Sequence, residues 1–205
     1  MKKIQLLTLS YLTVLLFSCQ PTEKKASSSE NPLFQLIPAQ KSGVTFNNRI
    51  TENFDNFFAQ FNYVYNGGGV AVCDIDNDGL ADIYSTGNEV ENKLYLNKGD
   101  FQFEDSTEKA RVGSDKGWHN GVTMVDVNAD GYLDIYICRG GWKDNTEERK
   151  NLLFINQQNS TFEEQATQFG LADEGYSTQA AFFDMDNDGD LDMYLMNRPE
   201  RFFLN

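Results

Sequence analysis

An all-β fold is predicted by three observations in this 205-residue sequence. Short runs of β-branched and aromatic residues alternate with turn residues, which is the pattern of strands. A nine-residue acidic loop occurs three times, its copies 52 and 58 residues apart, close to the roughly 40–50 residues of a propeller blade. Each copy separates two of the predicted strands. Repeated sheets of four antiparallel strands at this period predict blades of a β-propeller.

The predicted strands follow the same order in each unit. They cover residues 70–73, 81–85, 92–97 and 101–104 in the first unit, 121–125, 133–137, 151–156 and 161–163 in the second, and 179–183, 191–195 and 201–205 in the third. The connectors 103–112 and 162–171 are expected to hold a short helical turn. A ring needs about four to eight blades, so the three present leave it incomplete. We expect either a piece of a longer protein or closure by pairing with another chain.

Residues 1–18 have the form of an export signal. Lys2 and Lys3 precede an apolar run that is too short and too polar for a comfortable membrane span. Its end, Leu16-Phe17-Ser18-Cys19, resembles the lipobox of bacterial lipoproteins, in which the cysteine is lipidated. We therefore expect Cys19 to carry a lipid anchor at the bacterial outer membrane or cell surface. A plain cleaved secretion signal is the alternative.

The composition changes twice after the signal. Residues 19–32 lack an apolar period and contain two of the four prolines, which predicts a flexible tether. From residue 33, apolar and polar residues alternate, and the first strands are expected at 43–46 and 61–65. The predicted propeller segment therefore covers 33–205, with blade units at about 43–106, 107–165 and 166–205.

The repeated acidic loop has the composition of a cation site. Positions one, three, five and nine carry side-chain oxygens, position six is glycine, and the carbonyl of residue seven can face the centre. The candidate ligands are Asp74, Asp76, Asp78, Leu80 and Asp82 in the first loop, Asp126, Asn128, Asp130, Tyr132 and Asp134 in the second, and Asp184, Asp186, Asp188, Asp190 and Asp192 in the third. Carboxylates ~4–5 Å apart repel by roughly 1 kcal/mol per pair in water, so their clustering indicates a counter-charge.

The type and number of the ligand atoms indicate which cation the loops would bind. About five to six hard oxygens suit Ca²⁺, whereas Mg²⁺ demands a tighter octahedron and keeps more water. The loops contain neither His nor Cys, which makes zinc and copper poor candidates. An EF-hand needs a glutamate at position twelve, where this chain has Ser85, Ile137 and Leu195. We expect up to three structural Ca²⁺ ions; a solvated acidic turn is the alternative.

Other function classes find less support. A formal net charge of −14 argues against a nucleic-acid surface. The glycines 67–69 lack the spacing and the lysine of a phosphate-binding loop, so a tight turn is expected. His119, the only histidine, has no nucleophile or base partner in the sequence and is expected to pack or to lie on the surface. Segments 118–121 and 139–142 are predicted on loops that can contact a ligand.

The two cysteines beyond the tether, Cys73 and Cys138, fall in predicted strands. Equivalent positions of the other units carry apolar or small residues, so we expect free buried thiols. A disulfide between blades is the alternative, and it would need Cα atoms within about 7 Å.

The Asp-x-Asp-x-Asp-Gly-x-x-Asp loops, flanked by Gly-Val-Ala-Val-Cys-Asp and Asp-Ile-Tyr, resemble the FG-GAP/VCBS repeats of integrin α-chain propellers. The fuller blade, with Trp118 and Gly121 before the loop, residues 151–156 after it, and Phe162-Glu-Glu leading to Phe169-Gly-Leu171, is similar to the cartilage acidic protein (ASPIC/UnbV) group of exported proteins. The resemblance implies Ca²⁺ at the loop positions and a weaker second site, because Asn128 replaces an aspartate. Nothing in the chain matches the ASPIC domain.

The resulting hypothesis is a calcium-stabilised, lipid-anchored propeller module for binding or adhesion outside the cytoplasm. Its ligand would be a protein or glycan of unknown identity, with contact to the membrane only through the anchor and no nucleic acid. We expect no enzymatic activity. The alternatives are an accessory propeller of a secreted glycan- or lipid-degrading enzyme and a scaffold in an outer-membrane uptake complex.

Overall fold

The computed structural model describes residues 32–54, 56–141 and 145–199. The predicted export signal, Cys19, nearly all of the tether and the predicted strand at 201–205 lie outside these residues. One compact unit begins at Ile37, and the described part of the preceding unit, residues 32–36, contains no regular element. Within the described ranges, no helix is both long and apolar enough to cross a bilayer.

The chain from residue 70 forms three antiparallel sheets. The first sheet contains β1 (Val70–Cys73), β2 (Asp82–Ser85), β3 (Lys93–Asn97) and β4 (Phe103–Asp105). The second contains β5 (Trp118–Val125), β6 (Asp134–Gly140), β7 (Leu152–Asn156) and β8 (Phe162–Glu164). In the third, β9 (Ser177–Phe183) pairs with β10 (Asp192–Asn197). Strands adjacent in sequence are adjacent in each sheet, which confirms the prediction of propeller blades and an incomplete ring.

The described residues also form three single-turn helices: α1 (Ala39–Ser42), α2 (Thr107–Ala110) and α3 (Thr146–Arg149). Helix α2 lies in the first predicted connector and ends at Arg111, whose φ is 62°. The second connector makes hydrogen-bonded turns at 166–170 without a helix. The expectation of a helical turn therefore holds for the first connector only.

Each acidic loop joins two strands at the same register. The residue before the loop pairs with the aspartate at position nine: Cys73 with Asp82, Val125 with Asp134, and Phe183 with Asp192. The strand that follows position nine is rich in Ile, Tyr, Leu and Met, which favour a pleated, buried surface. The local sequence thus builds the same strand, loop and strand three times.

Successive sheets pack face to face, and the second strand of each of the first two sheets contributes a tyrosine to the contact. Tyr84 of β2 is fully buried in a core with Val122 of the second sheet. Tyr136 of β6 is buried in the same way beneath the third sheet, where its ring meets Phe182 edge-on at 5.4 Å. Tyr194 occupies the same register position in β10 and is 64% exposed. Among the described residues, the first two sheets are therefore covered on this face, and Tyr194 of the third is exposed there.

The predictions of strands at 43–46 and 61–65, before β1, are wrong. Residue 43 ends helix α1 with a φ of 77°, and residues 44–50 contain no strand. Residues 61–66 form turns closed by bonds from the amides of Val64 and Asn66 to the carbonyls of Phe61 and Tyr63, at 3.0 Å each. Phe61 and Val64 are buried three positions apart and pack with Trp118. The buried residues of this segment are three positions apart, whereas those of a strand are two apart. The segment therefore packs as a series of turns against Trp118 of the second sheet.

The prediction that 118–121 and 139–142 lie on loops is wrong for residues 118–121, 139 and 140, which belong to strands; Gly141 follows the strand, and residue 142 lies outside the described residues. Trp118 opens β5, and the register shifts between His119 and Val122, so a bulge carries the strand through these residues. Arg139 lies in β6, is only 6% exposed, and donates to the carbonyls of Lys116 and Glu147. Its guanidinium satisfies backbone carbonyls and is not a surface ligand contact.

Candidate metal centre

Two residues in each acidic loop adopt left-handed backbone torsions. The position-six glycines Gly79, Gly131 and Gly189 have φ of 88°, 86° and 95°, as the sequence predicted. A Cβ added at any of them would meet no atom within 4 Å, so glycine is required by torsion and not by space. Position four is also left-handed, with φ of 60°, 57° and 63° at Asn77, Ala129 and Asn187.

The carboxylate at position one turns inward and holds the loop closed. Asp74 accepts hydrogen bonds from the amides of Asp78 and Gly79, at 3.0 and 2.8 Å. Asp126 makes the equivalent pair with residues 130 and 131, and Asp184 binds the amides of 187 and 189. Because these amides lie on the far side of the loop, the bonds draw its side-chain oxygens towards one centre.

Three carboxylates converge in the first loop and again in the third. Oxygens of Asp74, Asp76 and Asp78 lie within 4.8 Å of one another, as do oxygens of residues 184, 186 and 188. The Oδ1 atom of Asp76 is shielded from solvent and has no hydrogen-bond partner. A shielded, unpartnered carboxylate oxygen is costly unless a cation or donor meets it. The first loop therefore fits a hard divalent cation.

The aspartate at position nine also has a structural role. Asp82 is fully buried, and its two oxygens accept from the amides of Ile75 and Asn97 at 2.9 and 2.8 Å. Asp134 repeats this with the amides of Val127 and Asn156. Burial raises the pKa of both carboxyl groups despite these bonds. Position nine thus ties the acidic loop to the third strand of its own sheet.

In the second loop, the carboxylate of Asp130 accepts hydrogen bonds from amide groups inside and outside the loop. Asn128 donates from Nδ2 to Oδ2 of Asp130 at 3.1 Å, and Gln158 donates to the same oxygen at 3.2 Å. The amide of Tyr132 binds the other oxygen at 2.9 Å. These bonds, that of Tyr132 first, lower the pKa of Asp130. Their presence gives a physical reason for the weaker cation site expected here.

The third loop is the most exposed of the three. Its acidic residues from 184 to 190 are all exposed, and position seven adds a further carboxylate, Asp190. The pKa of Asp190 is raised, chiefly because it shares a hydrogen bond with the Asp188 carboxylate and feels its charge. The backbone amide of residue seven contacts position five in every loop, with 2.8 Å between the nitrogen of Leu80 and Oδ1 of Asp78.

His119, Cys73 and Cys138 lie outside these loops. His119 is fully buried, its Nδ1 lies 3.0 Å from the Gly87 carbonyl, and burial together with Arg139 lowers its pKa to about 4. The packing role is confirmed. Both thiols are free, as expected, but only Cys138 is buried, whereas Cys73 is half-buried at the end of β1; desolvation raises the pKa of each to about 12. These thiols are protonated at neutral pH and are poor nucleophiles.

The glycines at 67–69 permit close backbone contacts. A Cβ on Gly68 would lie 1.9 Å from the Thr86 carbonyl oxygen, and one on Gly69 would lie 2.8 Å from that of Asn120. The amide of Gly69 donates to this Asn120 carbonyl at 2.8 Å. The glycine run therefore joins the start of the first sheet to the second.

Sequence reasoning missed the asparagines that end the third strands. Asn97 and Asn156 each donate a backbone amide to position nine and a side-chain amide to a carbonyl of their own acidic loop. The available signal was their repetition at the same place in two units, in Leu-Tyr-Leu-Asn and Leu-Phe-Ile-Asn. The repeat alone, however, does not show which atoms they bind.

Comparison with known proteins matches these observations. The FG-GAP-like repeat family model matches residues 74–137 and 142–195, which include all three acidic loops. Cartilage acidic protein 1 of Xenopus tropicalis is 33% identical over 135 residues, or 65% of this chain. That alignment covers 20% of the relative, so the chain spans about a fifth of its length. The resemblance to FG-GAP repeats, and more distantly to the cartilage acidic protein group, is confirmed.

Proposed function

The chain belongs to the FG-GAP-like repeat family, and from that premise we propose that it is a calcium-stabilised propeller segment that presents a binding or adhesion surface outside the cytoplasm. FG-GAP repeats are typically binding modules and not enzymes. The observation that carries the proposal is the convergence of Asp74, Asp76 and Asp78, with one Asp76 oxygen shielded and unpartnered. Asp184, Asp186 and Asp188 offer the same arrangement in the third loop.

The loop residues have two roles: some would bind the ion, and one fixes the loop to its sheet. Positions one, three and five supply the converging carboxylates, and position nine fixes the loop to the third strand. A bound Ca²⁺ supplies the positive charge that removes carboxylate repulsion. The loop then closes the hairpin between the first two strands of its blade, because Cys73 and Asp82 pair at its two ends.

The expected energetic effect is moderate for each ion and substantial for the set. At free Ca²⁺ about tenfold above a Kd of ~10⁻⁴ to 10⁻³ M, which is typical of extracellular sites, each ion contributes about 1.4 kcal/mol. A small domain has a total stability of only about 5–15 kcal/mol. Three ions would therefore help to decide whether the sheets remain folded.

The proposed binding surface lies at the strand ends opposite the acidic loops. A cavity of about 390 Å³ is lined there by described residues that follow β2, precede or begin β5, and end or follow β6, with Asn88, Trp118 and Arg149 among them. A second cavity of about 570 Å³ includes Phe61, Tyr63 and Gln179 in its lining. Of this lining, the half-buried ring of Tyr63 and the exposed amide of Gln179 are accessible, and an aromatic ring beside an amide suits a protein or glycan ligand. The cations would stabilise this surface without touching the ligand.

Lipid anchoring at Cys19 and an outer-membrane or surface location are part of the proposal. Their support is the sequence Leu16-Phe17-Ser18-Cys19 behind two lysines and an apolar run. Metabolic labelling with an alkyne-tagged fatty acid in a bacterial host tests the anchor: label is expected on the wild-type chain and not on Cys19→Ser. A wild-type chain that is exported without label would indicate plain secretion.

Calorimetric titration with Ca²⁺ tests the proposed cation sites. The wild-type chain should release or absorb heat with a stoichiometry of at least two ions, and Asp76→Asn should lose one of them. Asp100→Asn is the matched control, because Asp100 is an exposed turn residue outside the loops. A wild-type chain that shows no saturable Ca²⁺ binding at millimolar concentrations contradicts the proposal.

A further inference from the structure

The first two acidic loops are joined by a buried side chain. Asn156, at the end of β7, is 3% exposed. Its Nδ2 donates to the carbonyl of Ile75 in the first loop at 3.0 Å and to that of Leu133 in the second loop at 3.2 Å. One amide group therefore binds the backbone of two loops that belong to different sheets.

The backbone amide of Asn156 contacts one carboxylate of the second loop directly, and its Oδ1 is connected to another through Gln158. Its backbone amide donates to Oδ1 of Asp134 at 2.8 Å. Its Oδ1 accepts from the amide of Gln158 at 3.0 Å, and the Gln158 side chain donates to Asp130 at 3.2 Å. The position of Asn156 thus depends on positions five and nine of the second loop.

Ile75 completes the path into the first loop. Its carbonyl is bound by Asn156, while its amide donates to Oδ2 of Asp82 at 2.9 Å. A second, exposed bond runs between the loops in the same region, from Nδ2 of Asn77 to the carbonyl of Gly131 at 3.2 Å. Candidate ligands of both loops are consequently held by one continuous set of hydrogen bonds.

We propose that the first and second loops bind Ca²⁺ with positive cooperativity, and that Asn156 is the positioning residue that couples them, assisted by Asn77. This inference rests on the proposed function. An ion in the second loop fixes Asp130 and Asp134, hence Asn156 and the Ile75 peptide. The first loop then has less conformational freedom to lose when its own ion binds. By reciprocity, an ion in the first loop favours binding in the second.

The chain supplies a matched control for Asn156. Asn97, at the end of β3, makes the same contacts within its own sheet: its backbone amide binds Asp82 at 2.8 Å and its side-chain amide binds the Ala81 carbonyl at 2.8 Å. Within the described part of the chain, the hydrogen bonds of Asn97 stay in its own sheet and loop. Replacement of Asn97 by aspartate therefore removes the same donor without removing a link between loops.

The test is a Ca²⁺ titration followed by ¹⁵N–¹H NMR of the chain, with the Gly79 amide reporting on the first loop and the Gly131 amide on the second. Asp130→Asn disables the second loop. In the wild-type background this change should weaken binding at the first loop by at least about fivefold, the lower end of typical coupling. In Asn156→Asp the same change should weaken it by less than about twofold. Asn97→Asp should retain the fivefold effect.

Asn77→Gly provides a second variant that keeps the left-handed torsion and disturbs no buried group; Asn187→Gly makes the same change in the third loop as its control. The coupling between the first and second loops should fall in Asn77→Gly and stay unchanged in Asn187→Gly. If Asp130→Asn leaves the first loop's affinity unaltered, the cooperativity is wrong while the sites stand. If coupling survives in both Asn156→Asp and Asn77→Gly, the assignment of these residues is wrong. Absence of any Gly79 response in the wild-type chain contradicts the proposed function itself.

Discussion

The hydroxyl of Tyr84 donates a 2.6 Å hydrogen bond to the backbone carbonyl of Val112, in the segment that leads from the first sheet to the second. Tyr136 repeats this contact one unit later, with 2.9 Å to the carbonyl of Leu171. Each tyrosine fills the space between its sheet and the next and satisfies a carbonyl of the connector. The pair defines how one repeat is fixed to the following one.

Tyr84→Phe should therefore destabilise the chain. The change keeps the ring but leaves the buried Val112 carbonyl without its donor, at a cost of about 1–2 kcal/mol. Urea unfolding followed by circular dichroism measures the difference. Tyr194→Phe is the matched control, since Tyr194 holds the same register position and is 64% exposed; it should change stability by less than about 0.5 kcal/mol. Equal effects in the two variants would contradict this account.

Buried His119 should make stability depend on pH. Burial lowers its pKa in the folded chain to about 4, from 6.5 in the unfolded chain. Between these values the unfolded chain binds the additional proton, so stability falls as the pH is lowered from about 6.5 to 4. The loss attributable to His119 reaches about 3 kcal/mol.

His119→Asn isolates this contribution, because an amide nitrogen can replace Nδ1 as the donor to the Gly87 carbonyl. Unfolding free energies measured at pH 7.5, 6 and 5 should fall less steeply in the variant than in the wild-type chain. Parallel pH profiles would show that His119 does not stay neutral in the folded protein.

Ala129 should be replaceable with a gain in stability. It occupies position four of the second loop with a φ of 57°, where residues with a Cβ are strained and asparagine is tolerated better. Ala129→Asn should raise the unfolding free energy by about 0.5–1 kcal/mol, or the melting temperature by roughly 1–4 °C. Asn77→Ala, the reverse change in the first loop, should lower the melting temperature. A decrease with Ala129→Asn would contradict the strain argument.

Cys73 and Cys138 should resist thiol reagents until the chain unfolds. Burial raises both pKa values to about 12, and the carboxylates of Asp82 and Asp74 add to the effect at Cys73. In a Cys19→Ser background, Ellman's reagent should label neither thiol at pH 8 and both in denaturant. Rapid labelling of the folded chain would show that the sheets open more readily than their packing indicates.

The strands and acidic loops could be predicted because their determinants are local. The β-branched and aromatic residues after Asp82 and Asp134, together with a glycine at position six, specify a hairpin from neighbouring residues alone. Segment 61–65 could not be predicted, since Phe61 and Val64 are organised by contact with Trp118, which is distant in sequence. The strand pattern there is overridden by tertiary packing.

The candidate site shows the same division. Its acidic residues were evident from spacing, whereas the bond from Asn156 to the Ile75 carbonyl joins residues 81 positions apart. Position nine was expected only as a ligand, and the structure adds its bonds to the third strand. Such roles depend on which sheets meet, and a single repeat does not contain that information.

Thermal unfolding in Ca²⁺ and in excess chelator tests the central claim most directly. If the acidic loops hold structural Ca²⁺, chelation should lower the melting temperature by several degrees for each ion lost. Asp76→Asn should lose part of this Ca²⁺-dependent shift, and Asp100→Asn should keep all of it. Identical melting curves of the wild-type chain with saturating Ca²⁺ and with chelator would contradict the account.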